Sequence, residues 1–520
     1  MVEMELSASE LGLTVQFGEH CLFACSQRKK LFAIPACASP NFGIEPLCFV
    51  YGIVGHLSLN SNSESYLLTI TRRTFVGKHP VDQSSIYKIT QVNAIPFHST
   101  VLKGTDLSST KFLNSSLSAV DKSKIFSLQT SRDLVKLASN SLKEAISDQI
   151  IGTSSPFSSK KIICYEEKLD NSNNLVDEIL RLFNEDCCFY VSDSDLTSRL
   201  DKITVGYNFD ERFFWNKHLL KDLLECDSEE SRFWIRPVIQ GFIEFKKIGI
   251  GFLSNPTPGD LDPHGSCEIA LISRRCVKRA GTRYIKRGVD SQGFCANYVE
   301  TEQILSIMGH VLSFIQIRAS IPLFWRQLGY KYKPPPILCN SKPENQSAIQ
   351  NHFNGLFRSY DSISQSVFVV NLIDQVGREK VLGDAYIDYI LDYDSDKLTY
   401  VAFDFHDHCR GLKFENVNTL INAMSPEFKT ARFSWLDKNR EFICRQNALF
   451  RVNCIDCLDR TNVVQAAFAL HVFDCQIRKL GLLTPEESLS SKCKIILQSL
   501  WADNGDAISR QYSGTAALKF

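Results

Sequence analysis

The chain lacks net charge, a long apolar run and a leader sequence. Its 58 lysines and arginines balance 58 aspartates and glutamates, so the formal charge is zero. That balance excludes wholesale nucleic-acid binding, while a local basic patch remains compatible with it. No stretch approaches 18 consecutive apolar residues, so no transmembrane helix is expected. The first residues, MVEMELSASELG, are acidic where a signal peptide needs a basic segment and an apolar core. With no leader expected, the 18 cysteines read as reduced cytosolic thiols, not as a disulfide framework. No internal repeat is found. What is present is an ordinary globular composition, 44% hydrophobic and 22% charged, in 520 residues. That length allows two or three domains.

Residues 10–97 alternate β-branched and aromatic residues with Ser, Asn, Gly and Pro, which predicts a β-rich region. The serine-rich stretch at about 98–165 reads as an insertion, with a helix near 131–150. NNLVDEILRLF has helical spacing, and CCFYVSDSDLT reads as a closing strand, which puts a boundary near 205–212. Beyond it, strands are predicted at 235–246, 268–274, 296–300, 311–318, 366–373, 398–405 and 448–453. Helices are predicted at 384–392, 414–424, 460–480 and 485–501, the last started by Thr484-Pro485-Glu486-Glu487. This alternation indicates an α/β domain around a mixed sheet.

The most informative segment is ALFRVNCIDCLDRTNVVQAAFALHVF at 448–473. An apolar strand ends at Asn453, Cys454 opens a short loop, and Arg460-Thr461 begins an apolar helical pattern. A loop in this setting turns backbone N–H groups toward an anion, and the helix adds the positive end of its dipole. The same field lowers a thiol pKa, so Cys454 is a candidate nucleophile. Arg460 is placed to clasp two phosphate oxygens. Ile455, Cys457, Leu458, Asp459 and Thr461 complete the phosphate-binding loop. A chance Cys-x5-Arg-[Ser/Thr] occurs roughly 0.1 times in such a chain, so the flanking strand and helix carry weight beyond the motif.

RVNCIDCLDRTNVVQ resembles the active-site signature of the Sac phosphoinositide phosphatases. Further segments match that family in the same order: DLT at 195–197, RFFWNK at 212–217, the stretch at 273–303, RASIPLFWRQ at 318–327, NLIDQVGREK at 371–380, FDFHDHCRGLKFENV at 403–417 and WADNGDAISRQYSGTAALK at 501–519. HCRGLKFENV and GDAISRQYSGTAALK are nearest the Sac-two subtype. The resemblance implies a β-rich N-terminal Sac domain over 1–210 and an α/β cysteine-phosphatase-like catalytic domain over 211–520. It implies removal of the 4-phosphate of phosphatidylinositol 4-phosphate through a cysteinyl-phosphate, without cofactor or metal; the alternative readings are a phosphatase of another inositol position or of phosphotyrosine, or a non-catalytic lipid-binding scaffold. The expected setting is cytoplasmic, peripheral on endosomal membranes, with a phosphoinositide in an anionic bilayer as partner and no nucleic acid. The chain stops at Phe520, before segments the family carries further on, and contacts with a small GTPase or a second copy are expected only through those segments.

The proton donor for the leaving hydroxyl is left open: Asp456 first, then Asp459, or Asp404 or Asp506 from elsewhere. Thr461 either hydrogen-bonds the sulfur or is a plain first-turn threonine. Cys457 makes Cys-x-x-Cys with Cys454, which reads alternatively as a redox pair or, with His406, His408 and Cys409, as a metal site. His406, Asn504 and Asp506 are candidates for lining the site, together with Trp501, Arg510 and Gln511, by resemblance. The run at 274–287 holds seven basic residues and no acidic one. It reads either as a solvated loop or as a face toward anionic lipid through Arg279, Arg283 and Lys286.

Overall fold

The computed structural model describes residues 3–517 except 42, 60–63, 98–169, 186–187, 203–208, 227, 254–264, 283–284, 328–334 and 412. The serine-rich stretch, its expected helix near 131–150, and Arg283 lie outside the described residues. The described chain divides into two compact units: 1–75, 84–197 and 205–240 form the first, and 76–83, 198–204 and 241–520 the second.

The first unit is β-rich. Five antiparallel strands, β1 (Met4–Ser9), β2 (Gly12–Phe17), β3 (His20–Cys25), β4 (Lys30–Pro35) and β5 (Cys48–Val50), run in the order β4-β3-β2-β1-β5. Alternation sends Leu6, Leu13, Val15, Leu22 and Ala24 into a core shared with Trp234 and Ile235. A second set, β6 (Ile53–Ser58), β7 (Ser65–Lys78), β8 (Ser85–Pro96) and β9 (Phe189–Ser192), packs against α1 (Asp170–Asn184) through Val176, Ile179, Leu180 and Phe183. Asn216 of the RFFWNK segment is buried here. Its amide donates to Val54 O at 2.9 Å and Arg236 O at 3.1 Å and accepts from Val238 N at 2.8 Å. That residue splices loop backbone that would otherwise be buried without partners.

The second unit is α/β around a mixed sheet, as expected. Strands β10 (Ile239–Gly249), β11 (Ser266–Arg275), β12 (Val299–Ile307) and β13 (His310–Arg318) are antiparallel in sequence order. After β14 (Trp325–Gln327), β15 (Pro336–Leu338) and α2 (Lys342–Ser359) come β16 (Ser366–Asn371), α3 (Lys380–Tyr393), β17 (Leu398–Ala402) and β18 (Ala448–Asn453). β18 lies parallel between β16 and β13, and β17 is parallel to β16. Two helices follow, α4 (Asp459–Lys479) and α5 (Ser491–Ser513). On α4, Val464, Phe468, Ala469, Val472, Phe473 and Ile477 bury at helical spacing into a core with Phe314, Phe428 and Phe450. Burying each such side chain contributes roughly 1.5–3 kcal/mol.

Two helix expectations need correction. The helix placed at 485–501 starts six residues later and runs to Ser513. Thr484 and Glu487 do bond, Thr484 N to Glu487 Oε2 at 2.8 Å, but they close an isolated turn. Ser490 caps the helix instead, accepting from Cys493 N at 3.1 Å. The helix Lys342–Ser359 was not expected, because its sequence is polar. Its start is nevertheless written in Ser341, Pro343 and Glu344: a capping box with proline in the first turn.

Candidate active site

The parallel strands β16, β18 and β17 end side by side, and β13 ends beside β18. In open α/β sheets this carboxyl edge is where ligands bind. Each strand delivers one segment: β18 the Cys454–Thr461 loop, β16 residues 372–379, β17 residues 403–409, and β13 residues 318–320.

The loop is tightly curled. Cys457 takes a left-handed backbone conformation (φ 55°), which costs a non-glycine residue energy and persists only where neighbours enforce it. The curl points Cys457 N at the Cys454 sulfur, 2.9 Å away. Thr461 Oγ1, fully buried in the first turn of α4, donates to the same sulfur at 3.4 Å. Burial opposes ionisation of Cys454, but hydrogen bonding from Cys457, the charge of Arg460 and the Thr461 bond outweigh it and bring the thiol down to about 6, against a drag from Asp456. Cys457 goes the other way. Burial and the neighbouring Cys454 push it well above the ordinary thiol value, and its Sγ donates to the carbonyls of Ala319 and Cys454, both at 3.0 Å. One thiol of the pair is an anion at neutral pH, while the other is a neutral brace.

The loop carbonyls are held from outside. Arg287 Nη1 donates to Ile455 O at 3.0 Å and pairs with Asp456 Oδ1 at 2.6 Å, and Asn297 Nδ2 donates to Asp456 O at 3.1 Å. Leu458 is buried at the end of the loop, and Asp459 opens the helix. Beneath the loop, buried Arg451 bonds His352 Nε2 at 3.0 Å, Ser320 O at 2.6 Å and Asn453 Oδ1 at 3.1 Å. Asn453 in turn bonds Asn371 at 2.6 Å, fastening β18 to β16 at the root of the site.

Arg460 reaches the 372–379 segment. Its guanidinium meets Glu379 at 3.1 and 3.3 Å and Asp374 at 3.2 Å, a forked contact with two carboxylates. The Asp374 carboxyl is raised by burial and by Glu379, with Arg460 acting against them. Neither carboxylate was singled out from the sequence, although NLIDQVGREK marked the segment. Arg287 was seen only as one member of a basic run.

Other expected residues fall elsewhere. His406 is exposed and acts electrostatically on Asp374, so it borders the site. Asp404 caps the turn at 405–408 and accepts from Gln375 N at 2.8 Å. Asn504 is fully buried on the inner face of α5, bonded to Ser273 and Asn462, and Trp501 Nε1 donates to Gln303. Asp506 accepts from Ala517 N at 3.0 Å and ties down the segment after α5. Gln511 donates to Gly241 O at 2.7 Å, and Arg510 is exposed on the outer side of α5. The alternative metal set of Cys454, Cys457, His406, His408 and Cys409 is not assembled: among the described residues no three such side chains gather. The basic run is not uniformly solvated. Arg274 is buried between Glu300 and Glu302 (3.0 and 2.9 Å), and Arg275 lies over the Tyr512 ring. Arg279 turns inward to Arg287 O at 2.6 Å, while Lys286 is partly exposed.

The chain belongs to the SacI homology domain family, whose profile matches residues 51–410. That match ends before Cys454, but relatives carry the comparison through the loop. The chain is 38% identical over 541 residues to phosphatidylinositide phosphatase SAC2 of Danio rerio, covering 99% of this chain and 47% of that protein. To the Homo sapiens protein of the same name it is 37% identical over 540 residues, covering 99% and 46%. To phosphatidylinositol-3-phosphatase SAC1 of Drosophila melanogaster it is 36% identical over 315 residues, covering 60% and 50%. The chain thus spans about half the length of these relatives. Among the described residues no helix is long and apolar enough to cross a membrane.

Proposed function

We propose that the chain is a phosphoinositide phosphatase that removes the 4-phosphate of phosphatidylinositol 4-phosphate, acting peripherally at endosomal membranes. The observation that carries the catalytic reading is the Cys454 sulfur, held by Cys457 N and Thr461 Oγ1 in a strand–loop–helix and lowered to about 6, with Arg460 on the first turn of the same helix. The SAC2 relatives are phosphatidylinositide phosphatases by name, and others are named for the 3-position, which makes that position the competitor.

In the proposed reaction the Cys454 thiolate attacks phosphorus. A P–S bond forms as the P–O bond to inositol breaks, and the leaving oxygen takes a proton from a carboxylic acid. Water then attacks phosphorus and gives a proton back to that carboxylate, the P–S bond breaks, and inorganic phosphate leaves as the sulfur returns to thiolate. Arg460 moves from its carboxylate partners to the phosphoryl oxygens, and loop N–H groups share their charge. Asp456 is the proposed acid, on the loop itself. Asp374 is a second reading, favoured by its raised carboxyl and its contact with Arg460.

The test is phosphate release from vesicles carrying each phosphatidylinositol monophosphate, with phosphotyrosine as a separate substrate. The 4-isomer is expected to be turned over fastest, and Cys454→Ser to reduce release to background. Preference for the 3-isomer would overturn the regiochemistry, and activity on phosphotyrosine alone would overturn the lipid reading. With Cys454 lowered to about 6, kcat/KM should rise with pH through that value and level off toward neutrality, because the thiolate is the form present above it. A rise centred near the ordinary thiol value, roughly 8.5, would contradict the site described.

A further inference from the structure

Four arginines are almost completely buried: Arg199, Arg274, Arg318 and Arg451. Three are paired. Arg199 meets Asp201 at 2.7 Å, Arg274 meets two glutamates, and Arg451 has the three partners given above. Arg318 is different. It is 1% exposed, and all three of its guanidinium nitrogens lack a hydrogen-bond partner among the described residues. An uncompensated buried charge costs several kcal/mol, and unsatisfied buried donors are rare enough that each calls for a reason.

Its position supplies one. Arg318 is the last residue of β13, in register with Val452, two residues before Cys454. The next residue, Ala319, donates to Val452 O at 3.4 Å and accepts the Cys457 thiol at 3.0 Å. Across β12 its neighbour is Val299, whose side chain clusters with Leu458 of the loop and with Ile508 and Tyr512 of α5. The Arg318 side chain therefore lies on the face of the sheet that carries Val299 and its neighbours Leu458, Ile508 and Tyr512. Meanwhile the charge of Arg460 is already shared with Asp374 and Glu379.

We propose that Arg318 is a positioning residue of the proposed reaction: a buried cation behind the loop, free of hydrogen-bond partners among the described residues, that supports the Cys454 sulfur and stabilises the loop when a phosphoryl dianion occupies it. This rests on the phosphatase reading of the same site and adds a residue to it. Burial brings the guanidinium down to about 10, with Tyr512, Cys457, Cys454 and Asp459 acting against, so it remains a cation at neutral pH. The groups facing the Cys454 sulfur are then Cys457, Thr461, Arg460 and Asp456 from the loop and α4, with Arg287 behind Asp456, and Arg318 from β13. Arg318 itself also faces Asp459 and Tyr512.

The experiment uses Arg318→Met, which keeps length and removes charge, and Arg318→Lys, which keeps charge. The rate of Cys454 alkylation by iodoacetamide is followed against pH by peptide mass spectrometry, and the melting temperature of each protein is recorded. Wild type should titrate near 6, and Arg318→Met should shift the midpoint upward, with less thiolate on the acid side. Arg318→Lys should recover most of that shift. Arg318→Met should melt close to wild type, because losing a buried cation with no hydrogen-bond partner among the described residues offsets losing its support of the Cys454 thiolate. An unchanged alkylation midpoint overturns the proposal. So does a melting temperature well below wild type, which would make Arg318 a structural residue. Alkylation needs no substrate, so failure of every phosphoinositide to release phosphate would sink the phosphatase reading while leaving this test in force.

Discussion

The two faces of the sheet in the second unit treat charge in opposite ways at the same end of the same strands. Arg274 and Arg275 are consecutive on β11 and therefore point to opposite faces. On one face Arg274 is closed off by Glu300, Glu302 and the Ser198 carbonyl at 2.9 Å. On the other, packed by α4 and α5, the row runs Arg275, Val299, Arg318 and Val452, with no carboxylate from the strands. The first face uses charge as scaffold, neutralised where it stands. The second places Arg318, whose guanidinium has no hydrogen-bond partner among the described residues, behind the loop proposed to hold phosphate.

The largest effect expected on that second face comes from removing the proposed proton donor. Asp456→Asn should lower kcat by about 10²–10⁴-fold if Asp456 is the acid. Asp374→Asn should do so if the second reading is right, and kcat measured for both on vesicles decides between them. On the scaffold face, Arg274→Met removes the cation bonded to buried Glu300 and Glu302. It should cost about 3–5 kcal/mol in urea unfolding, in contrast to Arg318→Met. Equal stability of the two variants would erase the distinction between the faces. Arg460→Lys keeps a point charge and loses the fork, so kcat/KM should fall more than about tenfold, or about 1.4 kcal/mol. Retention of most activity would show that Arg460 serves only to bridge Asp374 and Glu379. The smallest effect is at the membrane. Lys286→Gln should weaken binding to anionic vesicles by about 1 kcal/mol or less, mostly at low salt, and turnover of a short-chain monomeric phosphoinositide should barely change. Equal losses on both substrates would move Lys286 into the catalytic pocket.

The strand–loop–helix at 448–473 was legible because all its chemistry is local. The strand ending at Asn453, Cys454, Arg460 and Thr461 fall within one short stretch, and the structure has the strand and the helix at the two ends of that loop. The supporting groups were not legible, because they come from strands far apart in sequence. Arg318, Asp374 and Glu379 reach the loop only because β13, β16 and β18 lie side by side. An arginine in the apolar run IQIRASIPL has no local signal that tells an ion-paired side chain from an unpaired one. Asn504 shows the opposite error. Resemblance suggested that it lines the site, and the packing of α5 against β11 and α4 turned it into a buried structural bond. The basic run at 274–287 looked uniform as a string, but strand alternation and the contact with Asp456 turned Arg274 and Arg287 inward.

The most direct test of the account is to quench the reaction with acid during turnover of phosphatidylinositol 4-phosphate labelled at the 4-phosphate, and to locate the label by peptide mass spectrometry. The account predicts a phosphorylated peptide carrying the label on Cys454, formed in wild type and absent in Cys454→Ser. Label on another residue, or steady release of phosphate by Cys454→Ser at the wild-type rate, would contradict it.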